Sequence, residues 1–307
     1  MTLTFGIYAG GRIAVDDGSP VEDPVAVASA LDRLHGDHPF LVRAYVHYPT
    51  LVEAPPNPVR LLNDRRRLDL VVCFREPGTD LAGWLDFIRK LLREHGSSLA
   101  VLQITEEPNN AGPGGDGGFS AVRRALVEGV VVAKREAVRL GLDVLVGCNA
   151  TPGFDPAQEF WTDLGKLGGQ EFRDALDYVG IDLFPDVFQP IAEDELAGTV
   201  RAVLAGFRGE SLAAAGISET TPIHVTEHGW STGAGRSPAR QAEVLDTVVR
   251  VVAESGLNIT TYEHFALRDA DSRRVEPLYQ LGLLCSDHTP KPAFATYREL
   301  IAEFTVR

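Results

Sequence analysis

The sequence has no long hydrophobic run, and its apolar stretches fall well short of the ~20 residues that a membrane-spanning helix needs. It is also poor in basic residues. There are 29 Lys and Arg against 43 Asp and Glu, a formal net charge of −14. That balance disfavours nucleic acid as a partner, because binding a polyanion needs a basic face. It disfavours anionic membrane surfaces for the same reason, whereas neutral ligands such as sugars are unaffected. Cysteine is scarce: Cys73, Cys148 and Cys285 stand in apolar surroundings with no CxxC spacing. They are expected to be small buried hydrophobes, and no disulfide framework is implied. The N-terminal MTLTFGIYAGG lacks a basic segment followed by an apolar one, so it is expected to be a first strand of a cytoplasmic protein. No GxGxxG follows it where YAGGRIA would have to supply one, which removes the usual mark of a dinucleotide-binding sheet.

What the sequence does have is a repeated alternation. Eight β-rich runs occur at 3–9, 40–46, 68–74, 99–105, 143–149, 177–183, 222–226 and 259–265, with starts 28 to 45 residues apart. Most are nearly continuous in apolar residues, as strands covered on both faces should be. Amphipathic stretches lie between them. In 79–96, Leu81, Leu85, Ile88 and Leu92 fall at helical spacing before Gly96. The stretch 120–141 opens on a potentially capping Ser120 and closes on Gly141, and 237–256 opens on Ser-Pro and ends at Gly256. A last helix is expected over 291–304. Eight strands alternating with about eight helices predict an α/β fold, a single (β/α)8 barrel over residues 1–307, with an open doubly wound sheet as the competing arrangement. The low-complexity NNAGPGGDGG (109–118) falls between the fourth strand and its helix.

In such a barrel, chemistry gathers where strands end. The candidates are Arg43 and His47 from the second run, Arg75 and Glu76 after the third, and Glu106 and Glu107 after the fourth. Asn149 ends the fifth, Asp182 and Asp186 belong to the sixth, and Glu227, His228 and Trp230 to the seventh. Glu263, His264, Arg268 and Asp269 belong to the eighth. TEEPN and VTEHGW stand out, because each ends a strand on glutamate just before structure-breaking residues. The fourth and seventh strands of an eight-membered ring face each other across its mouth. Two carboxyls there could flank one bond of a substrate, and a pair with split environments is what glycoside hydrolysis uses.

These residues resemble the large clan of retaining glycoside hydrolases on (β/α)8 barrels, whose acid/base and nucleophile glutamates end strands four and seven. The family's Asn-Glu-Pro corresponds to Glu106-Glu107-Pro108, and its strand-seven motif to Glu227-His228-Gly229-Trp230. Arg43 matches a strand-two arginine, VGIDLFPD (179–186) the strand-six segment, and GLLCSDHTPKPAFATYREL (282–300) the closing stretch. The resemblance implies double displacement with Glu227 as nucleophile and Glu107 as acid/base, their carboxyls about 5–5.5 Å apart. It implies Arg43, Glu106, Asn149, Phe184, Trp230 and His264 as substrate-binding residues, a carbohydrate or glycoside as substrate, and neither metal nor organic cofactor. Three positions depart from the pattern. Glu106 replaces an Asn that donates to the sugar 2-hydroxyl, and it must either accept instead or carry a proton. Phe184 replaces a Tyr whose phenol touches the nucleophile. His264 or Phe265 stands where a strand-eight Trp floors the sugar site. Those departures keep two alternatives open: a catalytically inactive carbohydrate-binding barrel, and a non-glycosidase barrel enzyme using a carboxylate base.

Simpler expectations accompany these. HVTEH (224–228) matches H-x-x-E-H, but in a strand four residues span about 13 Å, too far for two ligands of one zinc. Arg43 is expected to position a glutamate. The glycine-rich loop is expected to be mobile and to rim the cleft. Side chains alternate in a strand, so only one of Glu106 and Glu107 should point into the mouth. Trp84 and Trp161 are expected to be helix packing, Trp230 a stacking surface, and Asn149 and Asn258 strand residues rather than glycosylation sites.

Overall fold

The computed structural model describes residues 2–11, 18–153 and 158–305. Eight parallel strands close into a ring: β1 (Thr4–Tyr8), β2 (Phe40–Tyr48), β4 (Arg66–Phe74), β5 (Leu99–Ile104), β6 (Leu145–Ala150), β7 (Tyr178–Leu183), β8 (Ile223–His228) and β9 (Ile259–His264). β1 pairs with both β2 and β9, and that double pairing distinguishes a closed barrel from an open sheet. Seven α-helices pack outside among the described residues: α1 (Pro24–His35), α2 (Ala82–His95), α3 (Val122–Leu140), α4 (Glu159–Ala175), α5 (Leu196–Gly206), α6 (Pro238–Glu254) and α7 (Pro292–Phe304). No helix among them is long and apolar enough to cross a membrane.

The eight expected strands are all present. The helix expected between the second and third of them is not. There the chain forms a short antiparallel strand β3 (Val52–Ala54) on the end of β2 and a single 3-10 turn at Pro58–Leu61. Pro55, Pro56 and Pro58 remove N–H donors in close succession, which an α-helix does not tolerate. Capping followed expectation in α6, where the Ser237 side chain accepts from Arg240 N, but α3 starts after Ala121 with no side-chain cap. Gly141 ends α3 in the left-handed conformation, whereas Gly96 ends α2 at φ −55°. Cys73 and Cys148 are buried, and Cys285 is only half-buried.

Most of the core lies between sheet and helices, where Trp84, Ile88, Leu126, Val248 and Ile301 are almost fully buried. Each such side chain contributes roughly 1.5–3 kcal/mol of transfer free energy. The barrel interior is different. Its closed end is apolar, with Leu41, Val101 and Tyr178 in contact and His224 stacked on Tyr178 at 4.0 Å. Above that lies a polar layer containing Arg43, Asp69, Gln103, Asn149 and Glu263, all 0% exposed. Gly6 makes room for it: a Cβ there would sit 2.5 Å from Glu263 Oε2 and 2.8 Å from Leu41 Cβ.

Candidate active site

The polar layer opens upward into one large cleft of about 1470 Å³ at the C-terminal ends of the strands. Glu106, Glu107, Asp182, Phe184 and Glu227 all line it, together with Tyr8, Tyr45 and Phe265. Two local irregularities deliver the glutamates there. In β8 the pairing steps from Ile181↔Val225 to Asp182↔Glu227, so one extra residue is accommodated. Such a bulge re-aims a side chain. Thr226 and Glu227 consequently both turn inward, Thr226 Oγ1 donating to Asp182 Oδ1 at 2.6 Å while Glu227 faces Arg43.

The second irregularity corrects the expectation that alternation admits only one of Glu106 and Glu107. Regular β5 ends at Ile104, and Thr105 and Glu107 adopt positive φ of 66° and 39°. Strand alternation does not apply to such a backbone, and both carboxyls reach the cleft. Neighbouring elements pin it. Glu106 N donates to Asp116 Oδ2 at 2.8 Å, Asp116 N donates back to Glu106 O at 2.7 Å, and Glu107 N donates to Asn149 Oδ1 at 2.9 Å. Asp116 comes from the glycine-rich loop. It is fully buried, accepts from Phe74 N and forms an ion pair with Arg75 Nε at 2.9 Å, so the loop that rims the cleft is anchored at its root. Burial pushes the Asp116 carboxyl up to about 7, against the pull of Arg75.

Glu227 is held from below. Tyr45 Oη donates to Glu227 Oε1, and Arg43 Nε stands 3.8 Å from the same oxygen. Burial raises its pKa, while Arg43 and the Tyr45 hydrogen bond pull it back down. Tyr45 therefore supplies the phenol that the replacement of Tyr by Phe184 had removed from expectation. Glu107 has a different environment. Its Oε2 accepts from Asn110 Nδ2 at 2.6 Å, and burial, with Glu227 next, pushes its carboxyl up to about 7. The two glutamates thus have different partners in one cleft.

Several expected substrate contacts are placed otherwise. Arg43 lies beneath the cleft floor, 2.8 Å from Asp69 Oδ2 and 2.8 Å from Gln103 Oε1, where it can position carboxylates and does not line the cavity. Asn149 is likewise a support, its amide linking the Glu107 N–H to Glu106 Oε2 and Asp182 Oδ2. Trp230 is 3% exposed, with Nε1 donating to Asp186 Oδ2 at 2.9 Å and Arg236 lying 4.0 Å over its ring; it packs a loop and offers no open face to the cleft. His264 points outward to Tyr297 of α7, with ring centroids 5.7 Å apart, and Phe265 takes the cleft position. Burial lowers His264 to about 3. Trp84 is helix packing, whereas Trp161 both packs and lines the cleft. Asn258 precedes β9 in a left-handed turn. His224 and His228 lie on extended β8, with His224 against Tyr178 and His228 Nδ1 paired to Tyr262 Oη.

Sequence reading passed over Tyr45, Tyr8, Asp69, Gln103 and Asp116. Tyr45 follows Arg43 by two residues in one strand and so shares its face. Asp69 and Gln103 are polar residues inside apolar runs, which also marks them. Among the described residues, Glu106, Asp182 and Glu227 bring one carboxyl oxygen each within 4.8 Å of the others, a spacing that a hard cation could bridge. Each of the three already accepts a hydrogen bond from the wall, from Gln103, Thr226 and Tyr45 respectively.

No protein-family model matches the sequence, and no curated protein does either. Solved structures do match the fold. A β-glucuronidase from an uncultured Clostridium sp. superposes with a TM-score of 0.66 at 13% identity over 98% of this chain and 50% of its own. A family 39 glycoside hydrolase from Bacteroides cellulosilyticus gives 0.66 at 15% identity over 98% of this chain and 64% of its own. The β-glucosidase of Thermotoga maritima, solved with deoxynojirimycin, gives 0.66 at 10% identity over 99% and 98%. This chain thus spans about half the length of the first of these and nearly all of the last. At such identities the likeness establishes the barrel.

Proposed function

We propose that this chain is a retaining glycoside hydrolase, acting on a carbohydrate or glycoside in the cytoplasm. The observation that carries the reading is the split environment of two carboxyls in one cleft. Glu227 is gripped by Tyr45 and Arg43, which favour its ionised form, while Glu107 is raised to about 7 with Asn110 as its side-chain partner. Solved glycosidases with the same barrel support it. Glu227 attacks the anomeric carbon, and Glu107 protonates the departing oxygen. The same Glu107, now ionised, takes a proton from the water that releases the sugar. Arg43 and Tyr45 hold the nucleophile, and neither step calls on a metal or organic group.

The test is incubation with 2-deoxy-2-fluoro glycosides bearing good leaving groups, followed by peptide mass spectrometry. The expected result is a covalent label on Glu227. A label on Glu106 or Glu107, or hydrolysis with inversion, overturns the assignment. One observation favours a second reading, a barrel that binds sugars without turnover: carboxyl oxygens of Glu106 and Asp182 lie within 4.8 Å of one of Glu227, and crowded acids disfavour an ionised nucleophile. Heat of binding with deoxynojirimycin and no hydrolysis of any aryl glycoside would favour that reading.

A further inference from the structure

We infer that Asn149 and Asp182 are positioning residues, a side-chain bridge across β6 and β7 that holds the acid/base turn and the nucleophile strand in fixed relation to each other. The inference rests on the roles proposed for Glu107 and Glu227 and adds what keeps the two together.

The hydrogen bonds run without a gap from one side to the other. Glu107 N donates to Asn149 Oδ1 at 2.9 Å. That backbone donor fixes the amide, because turning it over would set N–H against N–H and its oxygen against carboxyl oxygens. Asn149 Nδ2 is thereby aimed at Asp182 Oδ2, with Glu106 Oε2 as a second acceptor at 3.3 Å. The other oxygen of Asp182, Oδ1, accepts from Thr226 Oγ1 at 2.6 Å. Thr226 immediately precedes Glu227, at the bulge of β8. Strands β5 to β8, neighbours in the ring, are thus laced together by one side chain on each of the middle two.

The sequence of β7 makes room for this lacing. Gly180 shares the inward face with Asp182, two residues further on. A Cβ on Gly180 would stand 2.6 Å from Thr226 Oγ1 and 2.9 Å from Asn149 Cβ. Any larger residue would push apart the two side chains that meet on Asp182.

Burial gives the bridge its strength. Asn149, Asp182 and Thr226 are almost wholly enclosed, so a broken bond leaves its partner without water to replace it. The geometry it guards is exacting, since a displacement of about 1 Å at a reacting group costs on the order of 100-fold in rate. Asp182 also lines the cleft, so direct contact with substrate is the competing role. The two roles differ in what restores activity: a bridge needs a donor facing an acceptor, whichever residue supplies which.

The experiment is a reciprocal exchange, read on aryl glycosides with good and poor leaving groups. Asn149→Asp keeps an acceptor for Glu107 N but sets an oxygen against the Asp182 carboxyl. Its kcat is expected to fall about 100-fold with KM within about 3-fold of wild type, and to fall further on poor leaving groups. Adding Asp182→Asn restores a donor facing an acceptor, and the double variant is expected within about 10-fold of wild type. Asn149→Asp with Glu263→Gln removes an acid elsewhere in the polar layer and should recover nothing. Melting temperatures read the bridge without turnover: Asn149→Asp should lose about 5 °C, most of it regained in the exchange. An exchange that restores neither rate nor melting temperature, or equal recovery with Glu263→Gln, overturns the inference. So does a restored melting temperature with no restored rate, or a rise in KM in place of the fall in kcat, because both mark Asp182 as a substrate contact. If wild type cleaves no glycoside, the hydrolase reading fails, and the melting temperatures alone then decide the bridge: recovery in the exchange supports it and its absence overturns it.

Discussion

Two pairs of acids flank Arg43, one above it and one below. Above, Glu106 Oε2 lies 3.6 Å from Arg43 Nη2 and Glu227 Oε1 3.8 Å from Arg43 Nε, at the floor of the cleft. Below, Asp69 Oδ2 takes Arg43 Nη1 at 2.8 Å with Glu263 in the same layer, where both acids are 0% exposed. The two pairs are built from the same groups: two acids each and one shared guanidinium. Their surroundings differ. The upper pair borders open volume, so an incoming ligand can replace one of its partners. The lower pair is sealed by Gly6, Leu41 and the strands, so no ligand reaches it. Identical groups thus become reactive or structural according to what covers them.

The comparison can be broken most severely from its upper half. Glu227→Gln is expected to lower kcat by on the order of 10⁵-fold or more, because the proposed nucleophile is lost. Thermal unfolding should show no loss of stability, since a buried charge is removed along with the function. Arg43→Leu strikes both pairs at once. It leaves buried acids without their cation and should destabilise by about 3–5 kcal/mol in urea unfolding. A smaller change than in either single-pair variant would deny Arg43 its shared role.

Glu107→Gln sharpens the comparison from the side. As the proposed general acid, Glu107 must be protonated, and burial pushes its carboxyl up to about 7, so wild-type kcat/KM should fall as pH rises through that value. The variant should lose this limb and about 10²–10⁴-fold of rate on poor leaving groups, with little loss on activated aryl glycosides. Tyr45→Phe removes one charge-assisted hydrogen bond to Glu227 and should lower kcat about 10- to 100-fold at nearly unchanged stability.

The lower pair gives the smallest effect. The Glu263 carboxyl is raised by burial, then by Asp69. A carboxyl raised on folding contributes stability that is present at low pH and declines as pH rises through its folded value. Glu263→Gln, always neutral, should change stability at pH 6 by about 1 kcal/mol or less. Its melting temperature should fall less than that of wild type between pH 6 and pH 9. A change in kcat larger than about 3-fold, ~0.6 kcal/mol, would place the sealed pair in the chemistry after all.

The strands and their order were legible because parallel strands buried on both faces read as apolar runs. Glu107 and Glu227 stood out for a related reason: a charge ending an apolar run, before Pro or Gly, marks a strand mouth. What stayed hidden depends on geometry that the run does not encode. The β8 bulge beside Asp182 and the positive φ of Thr105 and Glu107 decide which side chains turn inward, and neither has a local signature. Tyr45 was hidden differently, since a Tyr in a β-rich strand reads as packing until its register with Arg43 is noticed. Trp230 and His264 were placed in the mouth by motif position, yet the turn after β8 and the outward face of β9 bury them. Asp116 lay in a segment whose composition announces only pliability.

That aspartate separates the loop into two parts with different freedom. Residues 111–114 line the cleft, where Gly112 N donates to Asn110 Oδ1 and Gly114 O accepts from Arg75 Nη2, whereas Asp116 fixes the backbone that carries both glutamates. Substitutions at Ala111 and Pro113, which hold neither of those bonds, can therefore vary substrate preference with little effect on the two glutamates. A graft that exchanges 111–114 while keeping Asn110, Asp116 and Gly117 should change what the barrel accepts and leave how it reacts intact.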